Sequence, residues 1–271
     1  MGSSILTQLA DAAKERVENA KHSLSFRDIK NRAGSLPKES FRFSRALQKP
    51  GLSFICECKK ASPSKGLIAP DFPYLQIAKQ YEAAGADCIS VLTEPRWFLG
   101  SDAYLREIAS SVSVPCLRKD FTVDEYMIYE ARLLGASAVL LICAILCKSQ
   151  LREYLQAADS LGLDALVEAH DENEIDMALQ AGARIIGVNN RNLKDFSVDT
   201  GNSRRLRSLV PADILFVAES GISGSEDVRQ AAASGVDAVL AGEALMRAED
   251  RSAVLKEWKN ISRAFLPAGS I

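Results

Sequence analysis

Histidine is scarce in this chain: His22 and His170 are the two among 271 residues. A histidine-centred triad or a histidine-rich metal site has little to draw on, so proton transfer falls to Lys, Glu or Asp. Zinc-type cysteine pairing is also missing. Cys143 and Cys147 have no matching second pair, and with Cys56, Cys58, Cys88 and Cys116 they lie in or beside apolar stretches, as free thiols do. That usage fits a reducing cytoplasm. Excess charge of either sign is lacking. The net charge of −2 provides no field for nucleic acid or an anionic membrane. No apolar run approaches membrane-spanning length, and the first residues lack the basic segment and apolar core of a signal peptide. No glycine-rich dinucleotide fingerprint follows the first predicted strand.

What is present is a recurring junction. Ala84-Gly85-Ala86-Asp87 runs into Cys88–Leu92, and Leu134-Gly135-Ala136-Ser137 runs into Ala138–Leu141. Ala181-Gly182-Ala183-Arg184 and Ser234-Gly235-Val236-Asp237 repeat the pattern before further apolar runs. A glycine after a helical stretch is a C-cap, and a short run apolar on both faces is a strand of a parallel sheet. Further strands fall at Ser53–Cys58, Val114–Arg118, Asp164–Glu168 and Ile214–Ala218. Helical patterns lie between them at Phe72–Ala84, Asp124–Leu134, Ser149–Leu161, Asp171–Ala181 and Ser225–Ser234, with N-caps expected at Ser149, Asp171, and Ser223 or Ser225. Strict alternation of eight strands and eight helices predicts an α/β fold, a closed (β/α)8 TIM barrel over 49–271. Residues 1–48 read as an N-terminal helical extension, with Ile5, Leu6, Leu9, Ala12 and Ala13 at helical spacing. Periodicity leaves open whether it packs on the barrel wall or covers one end.

In this fold the site forms at the C-terminal ends of the strands. Those ends carry Glu57 and Lys59; Thr93 and Glu94; Lys119 and Asp120; Glu168; Asn189 and Arg191; Glu219, Ser220 and Gly221; Gly242 and Glu243. The fourth strand ends apolar, with Leu140 and Ile142. Strand alternation puts Ile55, Glu57 and Lys59 on one face, Cys56 and Cys58 on the other. Lysines set close to glutamates are expected to have pKa values shifted toward use as acids or bases near neutrality. Ser220-Gly221 and Gly242 offer backbone N–H groups for a phosphate, with Ser62 and Lys65 in the Ser62–Pro73 loop able to close on an anion.

The segments ECKKASPSKG, SVLTEPRWFLGS, LRKDF, LVEAHDENE, GVNNRNLKDFSVD, VAESGI and AGEALM resemble the indole-3-glycerol phosphate synthase family, in order, from about residue 50 to 247. The resemblance implies a lyase that decarboxylates, cyclises and dehydrates 1-(2-carboxyphenylamino)-1-deoxy-D-ribulose 5-phosphate without metal or cofactor. By motif it makes Lys119 the general acid, Lys59 the partner of the substrate carboxylate, Glu168 the general base and Glu57 an orienting group. It has Asn189 and Arg191 hold the substrate and Glu219 complete the polar network. Ser62, Ser220, Gly221, Gly242 and Glu243 would take the phosphate, and Phe98, Leu140, Ile142 and Phe196 the aromatic ring. Glu243 departs from the serine of some relatives, and His170 is given no role. A monomer in the cytoplasm, acting on a phosphorylated small molecule and on neither nucleic acid nor membrane, is the expectation, with an oligomer left open. Rival readings are a Schiff-base lysine at Lys119 or Lys59 and a barrel kept only to bind a ligand.

Overall fold

The computed structural model describes residues 4–192 and 196–265. Three helices come first: α1 (Ile5–Ser23), α2 (Phe26–Ser35) and α3 (Arg42–Leu47). Strands β1 (Ser53–Cys58), β2 (Cys88–Leu92), β3 (Cys116–Lys119), β4 (Ala138–Ile142), β5 (Asp164–Ala169), β6 (Ile185–Asn189), β7 (Leu215–Glu219) and β8 (Ala238–Ala241) pair in parallel in chain order. The barrel closes where Ser53 to Cys56 run beside Ala238 to Ala241. Helices α4 (Tyr74–Ala83), α5 (Asp102–Ser111), α6 (Tyr126–Leu133), α7 (Lys148–Leu161), α8 (Glu172–Ala181), α9 (Gly201–Leu206) and α10 (Ser225–Ala233) alternate with the strands. After β8 come the short α11 (Glu243–Arg247) and α12 (Arg251–Arg263).

The repeated glycines do what their position requires. Gly85 and Gly182 have φ of 95° and 92°, a conformation only glycine adopts cheaply. Each lets the next residue's N–H reach back into the helix, Ala86 to Tyr81 and Ala183 to Ala178. The chain is then aimed into the following strand. Side chains alternate as the pleat demands. Ile55, Leu117, Leu140, Leu166, Val217 and Leu240 fill the barrel, while Cys56, Cys58, Ile89 and Val91 face the helices.

Several boundaries differ from expectation for local reasons. Pro115 accepts from Ile89 through its carbonyl but has no N–H, so β3 starts at Cys116 rather than Val114 and runs through Lys119. α7 starts after Cys147, not Ser149, because the Gln150 side chain turns back to accept from the Cys147 N–H. α10 starts at Ser225 as expected, but its N-cap is Gly224 rather than Ser223 or Ser225, since Asp227 accepts from the N–H groups of Ser223 and Gly224. Asp171 caps α8 as expected. Cys147 departs from the other cysteines: it is exposed, and a hydrogen bond with Ser149 holds its thiol below the usual value.

The first 48 residues touch both ends of the barrel and its wall. At the N-terminal end, α3 inserts Phe43 and Leu47 into the interior cluster, and the Ser44 N–H donates to Asp164 at 2.8 Å. On the wall, α2 lies against α6, with Phe26 edge-on to Tyr129 at 5.8 Å. At the C-terminal end, Arg16 of α1 makes two hydrogen bonds to Asp120, at 2.7 and 3.1 Å, and Lys21 reaches Asp124 at 2.8 Å. The question that periodicity left open is answered by contacts between groups about a hundred residues apart.

Candidate active site

A cavity of about 540 Å³ opens at the C-terminal ends of the strands. The residues that the resemblance assigns to the site all line it, from Glu57, Lys59 and Ser62 round to Gly242 and Glu243, whereas Thr93 and Glu94, at the end of β2, do not. It also receives Ile5, Leu6 and Leu9 from α1 and Phe121 from the loop after β3. Sequence reasoning missed these; for Ile5, Leu6 and Leu9 the apolar spacing of α1 was the only signal, and for Phe121 its place just after Lys119 and Asp120.

The polar floor is built by strand parity. Glu57, Lys119, Glu168, Asn189 and Glu219 occupy inward positions near the strand ends, with Lys59 just beyond β1. Lys119 Nζ sits 3.2 Å from Glu219 Oε2 and 3.6 Å from Glu168 Oε2. Lys59 Nζ lies 2.5 Å from Glu57 Oε2, and Ser90 Oγ donates to the other Glu57 oxygen at 3.3 Å. Glycines make room for this cluster. A Cβ at Gly187 would fall 2.1 Å from Glu219 Oε1, and one at Gly242 would fall 2.7 Å from Glu57 Oε2.

Charge follows geometry, and it corrects one expectation. Burial alone would lower the Lys119 pKa, but Glu219, Glu168 and Glu57 outweigh it and hold the ammonium well above the usual lysine value. Lys119 therefore meets the substrate as a charged donor rather than as an amine poised near neutrality. The group brought near neutrality is Glu219. Burial and the Glu168 charge push it up to about 7 against the pull of Lys119. Burial would raise Glu57 too, yet Lys59 and Lys119 hold it below the usual carboxylate range.

Two rim residues do other work. Glu94 accepts from the N–H groups of Arg96, Trp97 and Phe98 at 2.8 to 2.9 Å and so shapes the loop that delivers Phe98. Thr93 donates to Asp120 at 2.5 Å. Asp120 is buried and held below its usual value: burial opposes ionisation, but Arg16 and Arg118 prevail. It anchors α1 next to Lys119.

The remaining wall divides by polarity. Phe98 packs on Phe121 with centroids 6.1 Å apart, beside Leu140 and Ile142. Arg191 donates from its guanidinium to the Phe196 carbonyl at 3.1 Å, and its N–H donates to Asn189 Oδ1 at 3.0 Å. Ser220 also donates to Asn189 Oδ1, at 2.9 Å. Opposite the aromatic wall, Ser220 and Gly221 both have positive φ (64° and 85°), presenting backbone to the cavity near Gly242. Glu243, at the start of α11, turns to Lys65 at 3.4 Å and Arg247 at 3.3 Å. Chemically, the site pairs a protonated lysine with nearby carboxylates, an apolar slot and a backbone-lined end suited to an anion.

A family model described as indole-3-glycerol phosphate synthase matches residues 6–258. A relative of that name from Ruminiclostridium cellulolyticum is 58% identical over 252 residues, covering 93% of this chain and 97% of its own. One from Endomicrobium trichonymphae is 54% identical over 257 residues, covering 94% and 100%. Among solved structures, thiamine phosphate pyrophosphorylase from Pyrococcus furiosus superposes with a TM-score of 0.62 at 17% identity, covering 83% of this chain and 100% of that one. The 3-hexulose-6-phosphate synthase from Salmonella typhimurium gives 0.62 at 16% identity, covering 79% and 100%. At such identities the two structures speak to the barrel fold alone.

Proposed function

The chain belongs to the indole-3-glycerol phosphate synthase family, and from that premise we propose how its residues divide the work. The reaction is that of a carboxy-lyase of tryptophan biosynthesis. It converts 1-(2-carboxyphenylamino)-1-deoxy-D-ribulose 5-phosphate to indole-3-glycerol phosphate, CO2 and water.

The phosphate lies against Ser62, Ser220-Gly221 and the Gly242-Glu243 backbone, and the aryl ring lies in the slot of Phe98, Leu140, Ile142 and Phe196. Fixing both ends brings the ring carbon against the C2′ carbonyl, which supplies proximity. Lys119 protonates the carbonyl oxygen as the ring carbon attacks, and its charge offsets the charge developing there. Lys59 holds the carboxylate, which leaves as CO2 toward the apolar wall. Asn189 and Arg191 hold the sugar hydroxyls, Glu57 orients Lys59, and Glu219 fixes Lys119. In the dehydration, Lys119, once reprotonated, gives the C2′ hydroxyl a second proton and it departs as water, while Glu168 takes a proton from the neighbouring carbon.

The observation that carries this reading is the Lys119 ammonium flanked by Glu168 and Glu219 under a cavity with one apolar and one backbone-lined end. It weighs against a Schiff base, which needs a neutral amine, because the carboxylates keep Lys119 protonated. We read the molecule as one domain, 49–271 with the 1–48 extension docked on it, working as a monomer in the cytoplasm. The test adds the substrate in excess chelator and follows indole fluorescence and CO2. Wild type should turn over, whereas Lys119→Ala should bind but lose at least about 100-fold in kcat, the usual scale for a general acid. Full activity in that variant would remove Lys119 from the mechanism, and a fluorescent adduct trapped by borohydride would favour the Schiff base.

A further inference from the structure

The stoichiometry of this reaction makes a demand that the cavity residues do not meet by themselves; the argument rests on the function proposed above. With the substrate carboxylate ionised, the carbon–carbon bond to it breaks and its electrons return to the ring. The C2′ oxygen accepts one proton on ring closure and a second on leaving as water, and one proton leaves the adjacent carbon. Each turnover therefore takes up one net proton. Lys119, the donor, is buried under substrate among three carboxylates.

A chain of groups leads outward from it. Lys119 Nζ is 3.6 Å from Glu168 Oε2, and the other Glu168 oxygen is 3.5 Å from His170 Nε2. That nitrogen is buried and has no hydrogen-bond partner among the described residues. The opposite ring nitrogen, Nδ1, lies 3.2 Å from Glu174 Oε2, which also accepts from the His170 N–H at 2.8 Å. Both the His170 and Glu174 side chains are 20% exposed, so the chain reaches solvent. His170 does not line the cavity and follows Glu168 by two, at the end of β5. The Asn202 side chain of α9 holds its carbonyl at 3.2 Å.

We propose that His170, backed by Glu174, carries protons between solvent and Glu168, and through Glu168 recharges Lys119 in each turnover. Among the described residues, the charged groups facing the ring are Glu168 at the end of β5, Glu174 on α8 and, at longer range, Glu219 on β7. Burial disfavours the imidazolium, but these carboxylates outweigh it and raise the pKa above that of free histidine. The ring can thus accept a proton on one nitrogen and release it from the other near neutral pH. His170 acts through Glu168 rather than on the substrate.

The test compares wild type with His170→Ala and His170→Gln in steady-state indole fluorescence. Direct loss of a general acid or base costs at least about 100-fold, so loss of a relay to one should cost about tenfold in kcat. KM should stay within about twofold, as expected when uniform binding is untouched. The solvent deuterium isotope effect on kcat should rise. Added imidazole should restore His170→Ala but not His170→Gln, where the side chain fills the space without carrying a proton. Unchanged kcat, or a loss that imidazole leaves in place with a wild-type isotope effect and pH profile, would overturn the relay. Wild type failing to release CO2 would instead overturn the functional reading on which it rests.

Discussion

Gly187 carries no functional group, yet one methyl added there should strike the catalytic cluster directly. It faces inward on β6, and a Cβ placed there meets Glu219 Oε1 at 2.1 Å and Leu166 Cδ1 at 3.1 Å. Contacts below 3.0 Å are essentially never seen, so Gly187→Ala forces the carboxylate back by at least about 0.9 Å. Glu219 Oε2 holds Lys119 at 3.2 Å, and a retreat on that scale breaks the pairing or drags the ammonium with it. A displacement of about 1 Å at a reacting group can cost about 100-fold in rate, or about 2.7 kcal/mol of transition-state stabilisation. Overpacking by one methyl should cost about 1 kcal/mol of stability, a fall of roughly 2–4 °C in Tm. The expected signature is a large fall in kcat in a protein that melts almost normally. Steady-state fluorescence and a thermal melt measure both. The decisive arm repeats the substitution in a Glu219→Ala background, where no carboxylate remains to be displaced and the methyl should be nearly silent on kcat. Equal loss in both backgrounds, or a kcat within threefold of wild type, would refute the reasoning.

Other outcomes follow from the same geometry. Arg16→Ala leaves the Asp120 carboxylate buried with its main counter-charge gone, and urea denaturation should show a loss of about 3 kcal/mol; a loss below about 1 kcal/mol would mean that α1 is not latched there. Glu219 binds its proton at about 7 in the folded protein against an ordinary 4.5, so the stability it contributes is fully present below 4.5 and is lost as pH rises through 7. Subtracting the stability-versus-pH curve of Glu219→Gln from that of wild type should isolate that decline between those two values, and a flat difference would contradict it. Glu243→Ser removes a carboxylate from the backbone-lined end and should lower KM about threefold at low salt with kcat unchanged, the gain shrinking as salt screens it; a raised KM would mean that Glu243 positions Lys65 and Arg247 for the anion.

The sequence made the barrel legible because its strongest signals are local. Gly85, Gly135, Gly182 and Gly235 each mark a helix end and a strand start within a few residues, and all four adopt positive φ. The polar cavity residues were legible for the same reason, since they sit where apolar runs stop. What stayed hidden depends on partners distant in sequence. Nothing near Ile5, Leu6 or Leu9 says that they reach a cavity, because the contact that places them there joins Arg16 to Asp120. Glu94 looked like a site residue by position, but its carboxylate is consumed by three backbone N–H groups that follow it. The direction of the Lys119 shift was equally out of reach, since it depends on three carboxylates from three other strands.

The Arg16–Asp120 clasp also has a consequence for how the protein is born. The two residues are separated by 104 positions, and α1 leaves the ribosome before β3. At the usual pace of synthesis, about 5–20 residues per second, roughly 5–20 s pass before β3 exists to receive it. For that interval Ile5, Leu6, Leu9 and Ala13 form an apolar stripe with no barrel beneath it. The nascent helix is then a ready client for a chaperone, and slow translation between residues 20 and 120 lengthens its exposure.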